Sequence, residues 1–152
     1  AVDSQQIFEE VVHEFHDTIA RKSATVVSEN LPVFSASPTL MRVLLQNLVG
    51  NALKFQDGSH PPAVTVSARR EGLPGAGMWR LTVRDNGIGI DPAFSGRLFT
   101  IFQRLHREDD YPGTGIGLST CRKFVRLCGG EMSFTSKPGE GSTFTFTLPD
   151  HA

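Results

Sequence analysis

The sequence has little cysteine, only one tryptophan and one tyrosine, and no excess of charge of either sign. Two cysteines are too few for a disulfide framework, and a zinc site needs more ligands at suitable spacing. Fifteen basic side chains against sixteen acidic ones lack the basic excess of a nucleic-acid-binding module. No apolar run approaches the length of a membrane span. We therefore expect one reduced, cytoplasmic domain over residues 1–152, with no nucleic-acid partner and no direct membrane contact.

Apolar side chains make up 39% of the residues, which suffices for a single hydrophobic core. Eleven phenylalanines indicate that this core is built largely on Phe. Cys121 and Cys128 are seven residues apart in a helical pattern that also contains Leu118 and Val125. All four fall on one helix face, so we expect both cysteines to be small buried residues.

Hydrophobic periodicity, capping residues and turn residues predict a mixture of helices and hairpins. The predicted helices are 4–22, which Asp3 or Ser4 can cap, 38–55, a short one near 95–104, and 116–128, which Gly129-Gly130 closes. The predicted strands are 24–28, a short one within 29–37, and the hairpins 63–70 with 79–85 and 131–136 with 142–148. These elements predict an α+β two-layer sandwich, with a mixed, mostly antiparallel sheet and about three helices packed on one face. The other face is expected to be exposed or covered by a partner.

The second predicted helix carries two stripes. Its apolar residues fall within a sector of about 80°: Met41, Leu45, Leu48, Ala52 and Phe55. Asn47, Asn51 and Lys54 fall within a neighbouring sector of about 60°. Amide oxygens suit Mg²⁺, and a lysine one turn further can meet a phosphate. A solvated helix face explains this helix alone about equally well.

The strand predicted to end at Asp85 runs directly into Asp85-Asn86-Gly87-Ile88-Gly89-Ile90. A carboxylate at a strand end can accept a hydrogen bond from an exocyclic amine, such as that of adenine. Gly87 and Gly89 permit close approach of the backbone to a flat ring, and Ile90 can supply apolar contact. Taken alone, an ordinary Asp-Asn-Gly turn explains the segment better.

Two more glycine-rich segments follow, Gly113–Leu118 before the last predicted helix and Gly139–Phe144 before the last strand. Glycines at a helix N-terminus form an anion site from free N–H groups and the helix dipole. The residues before Gly113 are charged and loop-like, and Gly-Lys-Ser and Gly-Lys-Thr are absent. Both observations argue against a dinucleotide fold and a Walker P-loop. The last segment is explained as a hairpin turn, although Thr143 can face the adenine end of a pocket.

Each of these elements is weak alone, but their order and spacing together are highly specific. The chain resembles the catalytic, ATP-binding domain of the sensor histidine kinases of two-component systems. That family shares its Bergerat-type fold with gyrase, mismatch-repair and heat-shock chaperone ATPases. The resemblance runs from the first helix to Pro149, and it also rests on Leu98-Phe99 and Ile101-Phe102. The segment 102–113 looks most like kinases of the phytochrome or PAS-linked type.

The resemblance implies ATP and Mg²⁺ as cofactors. Asn51 would coordinate Mg²⁺, Lys54 would contact a phosphate, and Arg104 or Arg107 would reach the γ-phosphate from a mobile lid, residues 103–112. Asn51, Lys54 and Arg104 are the catalytic residues in this interpretation. Asp85 would bind the adenine amine, directly and through water.

Further ATP contacts follow from the same resemblance. Glycines and Ile90 would shape the adenine slot, and the segment 113–118 would cover the phosphates. The positions concerned are Asn47, Gly87, Gly89, Ile90, Tyr111, Gly113, Thr114, Gly115, Ile116, Gly117, Leu118 and Thr143.

One position distinguishes a kinase from an ATPase. Related hydrolytic enzymes carry a glutamate one turn before the Mg²⁺ asparagine, where this chain has Asn47. An amide cannot act as a general base at neutral pH, so we expect ATP binding without efficient hydrolysis. The acceptor would be a histidine on a separate dimerisation domain, and a response regulator receiver domain would act downstream. His13 lacks the acceptor signature, so we expect no self-phosphorylation.

Three interpretations stay open at this stage. The chain is either the ATP-binding part of a cytoplasmic or membrane-associated sensor kinase, or an ATPase or serine-kinase module of the same superfamily. A third interpretation, from a different class, is a non-catalytic nucleotide-sensing docking module. Intact Asn51, Asp85 and glycine segments argue against such degeneration.

Overall fold

Helices cover one face of a five-stranded sheet in the computed structural model, which describes residues 2–54, 56, 58, 60–72, 77–87, 118–137 and 140–150. The helices are α1 (Ser4–Glu14), α2 (His16–Lys22), α3 (Pro38–Lys54) and α4 (Leu118–Leu127). The strands are β1 (Val2–Asp3), β2 (Thr25–Glu29), β3 (Val33–Phe34), β4 (Ala63–Glu71), β5 (Met78–Asp85), β6 (Met132–Lys137) and β7 (Gly141–Pro149). No helix among these residues is long and apolar enough to cross a membrane.

The strand order in the main sheet is β2-β4-β5-β7-β6. Only β2 and β4 run parallel, whereas the β4–β5, β5–β7 and β6–β7 pairs are antiparallel. The short strands β1 and β3 form a separate antiparallel pair. This confirms the predicted mixed, mostly antiparallel sheet and both predicted hairpins.

Side chains along the central strands point alternately to two faces of the sheet, of which one is apolar and packed in the core and the other is polar. The core residues of these strands are Val64, Val66, Leu81, Val83, Phe144, Phe146 and Leu148. The intervening residues are mostly threonine, serine and arginine, and they are partly or fully exposed. The second face of the sheet is therefore polar and accessible within this chain.

The helix α3 lies in the centre of the helical layer and is buried more widely than its predicted apolar stripe. Leu44, Val49 and Leu53 are fully buried in addition to the predicted stripe residues. The reason is that α3 packs on β4 and β5 while α1 and α4 flank it. Phe55, the predicted last residue of this helix, lies outside the described residues.

The prediction of one continuous helix over 4–22 was wrong. Phe15 leaves helical geometry at φ −97° and ψ 12°, and its N–H bonds to both Val11 O and Val12 O. The chain therefore forms two helices over this range, α1 and α2, where one was predicted. The predicted cap is confirmed, because the Asp3 carboxylate accepts from the N–H groups of Gln5 and Gln6.

The last helix ends at the predicted Gly129-Gly130 pair, with Leu127 as its last helical residue. Gly129 adopts φ +88°, and a side chain at Gly130 would collide with the Thr147 carbonyl oxygen, so the chain must turn there. Cys121 is buried as predicted, whereas Cys128 is exposed, so the prediction of burial was wrong for Cys128. The predicted short helix near 95–104 and residues 116–117 lie outside the described residues.

Candidate functional site

Two buried amides on α3 form one half of the candidate site. Asn47 and Asn51 are only 3% and 2% exposed. The Nδ2 of Asn47 donates to the Val43 carbonyl oxygen over 2.8 Å, which leaves its Oδ1 without a hydrogen-bond partner among the described residues. The Oδ1 and Nδ2 of Asn51 both lack such a partner in the same part of the chain. An unsatisfied buried amide costs about 1–3 kcal/mol, so this pair is suited to a ligand that completes its contacts.

The C-terminal turn of α3 brings positive charge beside the amides. Lys54 lies on the same helix face as Asn51 in this turn and is partly buried. Lys22, at the end of α2, donates from Nζ to the Leu53 carbonyl oxygen over 2.6 Å. Burial, and secondarily the nearby Arg21, lowers the pKa of Lys22. The cation offsets the negative end of the α3 dipole and fixes this turn.

The carboxylate of Asp85 forms the other half of the site at the end of β5. Its Oδ1 accepts from the Gly87 N–H over 2.8 Å and from the Ser142 N–H over 3.3 Å. Burial raises the pKa of Asp85 to about 6, and the two backbone hydrogen bonds partly oppose that rise. The group is a partly buried acceptor that is still mostly ionised at neutral pH.

The two strand ends around Asp85 meet at van der Waals distance. A Cβ atom on Gly141 would lie only 2.1 Å from the Asp85 carbonyl oxygen, and Gly141 adopts φ +116°. Only glycine fits this position without displacing the backbone. The start of β7 therefore lies against the end of β5, and this contact positions the Asp85 carboxylate.

Ser142, which the sequence interpretation passed over, is the hydroxyl residue bonded through its backbone to Asp85. It is buried, whereas the predicted Thr143 pairs with exposed Arg84 and faces the polar side of the sheet. Thr143 as an ATP contact stays a prediction, and the residue whose backbone bonds to the Asp85 carboxylate is Ser142. The sequence contained this information, because side chains two residues apart on a strand point to the same face of the sheet. Ser142 is two residues before the core residue Phe144. A cleft of about 650 Å³ on the polar face borders Asp85, Ser142 and Thr143.

The amides and the carboxylate lie on the same side of the sheet. Asp85 continues the alternation of Leu81 and Val83, whose side chains are buried beneath the helices. The helix α3, which carries Asn51, packs over β4 and β5 on that side. The arrangement can therefore present a hydrogen-bond acceptor and a pair of amides to one ligand.

Several predicted site residues lie outside the described residues, so their placement is not part of this geometry: Gly89, Ile90, Arg104, Arg107, Tyr111, Gly113, Thr114, Gly115, Ile116 and Gly117. Leu118 is the first residue of α4. Gly87 is described, and its N–H holds the Asp85 carboxylate.

A profile of the family described as "Histidine kinase-, DNA gyrase B-, and HSP90-like ATPase" matches residues 36–152. The chain belongs to this family. Its relatives include cyanobacterial phytochrome A of Nostoc sp., 40% identical over 95% of this chain and 18% of the relative. The phytochrome-like protein Cph1 of Synechocystis sp. is 37% identical over 97% of this chain and 19% of the relative. The chain thus spans about a fifth of the length of these relatives.

Solved histidine kinases share the fold. Full-length ShkA, solved in complex with AMPPNP, superposes with a TM-score of 0.77 at 25% identity, covering 99% of this chain and 31% of ShkA. The catalytic domain of ThkA superposes with a TM-score of 0.74 at 21% identity, covering 98% and 93% of the two chains. ThkA solved with the response regulator protein TrrA superposes with a TM-score of 0.70 at 21% identity, covering 96% of this chain and 40% of that one. The predicted Bergerat fold and the resemblance to histidine kinases, including phytochrome-linked ones, are confirmed.

Proposed function

We propose that this chain binds Mg-ATP and presents the γ-phosphate for transfer to a histidine on a separate dimerisation domain of a sensor histidine kinase. One observation carries the proposal: buried amides without hydrogen-bond partners among the described residues face the same side of the sheet as the partly buried Asp85 carboxylate. Membership of the histidine kinase-like ATPase family supports it. The complex of the similar kinase ShkA with AMPPNP supports a nucleotide as the ligand.

The Asp85 carboxylate would bind the adenine end. Two backbone N–H groups already occupy its Oδ1, which fixes the orientation of the group. A carboxylate held in this way accepts a hydrogen bond from an exocyclic amine and cannot reorient to avoid it. Ser142 would lie beside the ring, and Gly87, Gly89 and Ile90 would shape the slot.

The amide pair and Lys54 would hold the phosphate end. The Asn51 Oδ1 has the oxygen chemistry that Mg²⁺ prefers, and the metal when bound would neutralise phosphate charge. Lys54, on the same face of α3, would meet a phosphate as a point charge. Arg104 and Arg107, Tyr111 and the segment 113–118 keep the roles that the family resemblance implies.

Asn47 favours a kinase over an ATPase. Its Nδ2 is committed to the Val43 carbonyl, and its remaining oxygen is an amide oxygen that cannot take a proton from water at neutral pH. Without a general base here, the γ-phosphoryl group would await another acceptor, and positioning would dominate catalysis. An ATPase or serine-kinase module is the alternative, and rapid release of free phosphate would favour it.

The acceptor is proposed to lie on another domain. His13 and His16 are exposed and stack on each other at the end of α1, with His16 Nε2 3.1 Å from the Asp17 carboxylate. This surface position gives neither histidine the surroundings of the candidate site. We propose a receiver domain as the downstream partner, which the complex of ThkA with TrrA supports. Incubation of the purified chain with labelled ATP should leave it unlabelled, and label on His13 would overturn this assignment.

Calorimetry with Mg-AMPPNP tests the binding itself. Wild type should bind, and Asp85→Asn should weaken binding by on the order of 100-fold because a charged acceptor and its fixed orientation are lost. The matched control is Asp150→Asn, which changes another partly buried carboxylate, bonded to Arg70 and Trp79 at the opposite end of β5. The control should bind as wild type does. Absence of heat with wild type at millimolar ligand would refute the function.

A further inference from the structure

The side chain of Asn86 ties the end of β5 to the start of β4. The β4–β5 ladder ends with the pair Val64–Asp85, one residue before Ala63 and Asn86. The Asn86 Oδ1 accepts from the Ala63 N–H over 2.8 Å, and its Nδ2 donates to the Pro61 carbonyl oxygen over 3.1 Å. The amide therefore replaces the backbone partners that the ladder no longer supplies.

The same side chain is linked to the C-terminal turn of α3 through Gln56. The Gln56 Nε2 donates to the Ala52 carbonyl oxygen over 2.8 Å and to the Asn86 Oδ1 over 3.5 Å. Ala52 follows Asn51 directly, and Asn86 follows Asp85 directly. A chain of hydrogen bonds thus connects the neighbours of the two groups that define the candidate site.

We propose that Asn86 is a positioning residue that sets the spacing between Asn51 on α3 and Asp85 on β5, with Gln56 as its link to the helix. The proposal rests on the proposed binding of Mg-ATP. A nucleotide that spans both groups needs them at one fixed separation, whereas a ligand that contacts only Asp85 does not. Asn86 itself touches neither end of the nucleotide in this proposal and acts through the two backbone segments that it joins.

Two ligands test the proposal: Mg-AMPPNP, which would contact both Asn51 and Asp85, and adenosine, which would contact only Asp85. Asn86→Ala and Gln56→Ala should each weaken Mg-AMPPNP by on the order of tenfold, since each removes hydrogen bonds of the link. Adenosine, which lacks phosphates, should lose less than about threefold in the same titrations. The double variant should bind Mg-AMPPNP no more weakly than Asn86→Ala, because both substitutions break one connection.

Thr147→Val is the matched control. Its hydroxyl oxygen accepts from the Glu131 N–H over 2.9 Å. Like the bond between Asn86 and Ala63, this bond joins a side-chain oxygen to a backbone N–H, but it lies at the end of β7 far from Ser142. This variant should lose stability in urea to a similar extent and bind both ligands as wild type does. Gln56→Ala decides the question by itself if Asn86→Ala does not fold.

The outcomes separate this inference from the function on which it rests. Selective loss of Mg-AMPPNP affinity supports a positioning role for Asn86. Equal loss of both ligands, or additive losses in the double variant, would overturn it in favour of a local effect on Asp85 or separate structural effects. Unchanged binding in both single variants would also overturn it. Failure of wild type to bind either ligand would refute the proposed function instead.

Discussion

The Ser142 N–H donates to the Asp85 carboxylate over 3.3 Å and joins the ends of two neighbouring strands. Gly141, the residue before it, lies so close to the Asp85 backbone that no Cβ fits between them. The position of the carboxylate is therefore fixed by β7 as well as by its own strand. Substitutions at this junction should affect both stability and binding.

Gly141→Ala tests the junction between β5 and β7. The added Cβ would meet the Asp85 carbonyl oxygen at 2.1 Å and impose strain at φ +116°. We expect the free energy of unfolding to fall by about 3 kcal/mol or more, together with weaker binding of Mg-AMPPNP. The control is Gly58→Ala, at φ +81° with nothing within 4 Å of the new Cβ, which should cost only about 1 kcal/mol. Equal losses in both variants, from urea denaturation followed by Trp79 fluorescence, would contradict the close contact.

Asp85 should make the unliganded protein less stable as pH rises. Burial raises its pKa from 3.8 to about 6, so the folded state holds the proton more tightly than the unfolded state does. The free energy of unfolding should then fall between about pH 4 and pH 6 and stay lowered above that range.

Asp85→Asn removes this titration. At about pH 7.5 the variant should be more stable than wild type by on the order of 2 kcal/mol, a value reduced for the partial exposure of the carboxylate. Urea denaturation at intervals from about pH 4 to pH 8 gives the difference curve. A constant difference across this range would show that Asp85 keeps an ordinary pKa.

Asn51→Leu should stabilise the free protein and abolish its ligand response. Leucine removes two buried polar atoms that lack hydrogen-bond partners among the described residues, which should add about 1–2 kcal/mol to the free energy of unfolding. Mg-AMPPNP should then no longer raise the melting temperature. Asn47→Leu provides the comparison. This substitution also removes the hydrogen bond to the Val43 carbonyl oxygen, so the free energy of unfolding should rise less than in Asn51→Leu. A less stable Asn51→Leu protein would indicate that Asn51 is satisfied within the fold.

The two cysteines should differ in reactivity. Cys128 is exposed, whereas Cys121 is fully buried and burial raises the pKa of its thiol to about 12. A thiol reagent should add one label to the native protein and a second only on unfolding, because the thiolate is the reactive form. Mass spectrometry counts the labels, and Cys128→Ser should remove the fast one. Rapid double labelling of native protein would contradict the burial of Cys121.

Local sequence patterns predicted most of the elements. Period-two alternation identified β4, β5 and β7, because a strand with one buried face must place every second side chain in the core. The break at Phe15 had no comparable signal, since the apolar residues continue at helical spacing through it. Cys128 was misplaced because its helical spacing from Cys121 predicted burial, whereas Cys128, at the end of α4, is exposed.

The sequence by itself determined which residue types are present for binding: the amides of α3, the carboxylate at the end of β5 and the glycines that follow it. Their order and spacing carry the resemblance to the histidine kinases, and that resemblance implies ATP as the ligand. Only the tertiary structure decided that the Ser142 N–H bonds to the Asp85 carboxylate, and that Gln56 and Asn86 join the helix to the strand. Such contacts lie between segments about 30 to 57 residues apart in the chain, where no local periodicity can register them.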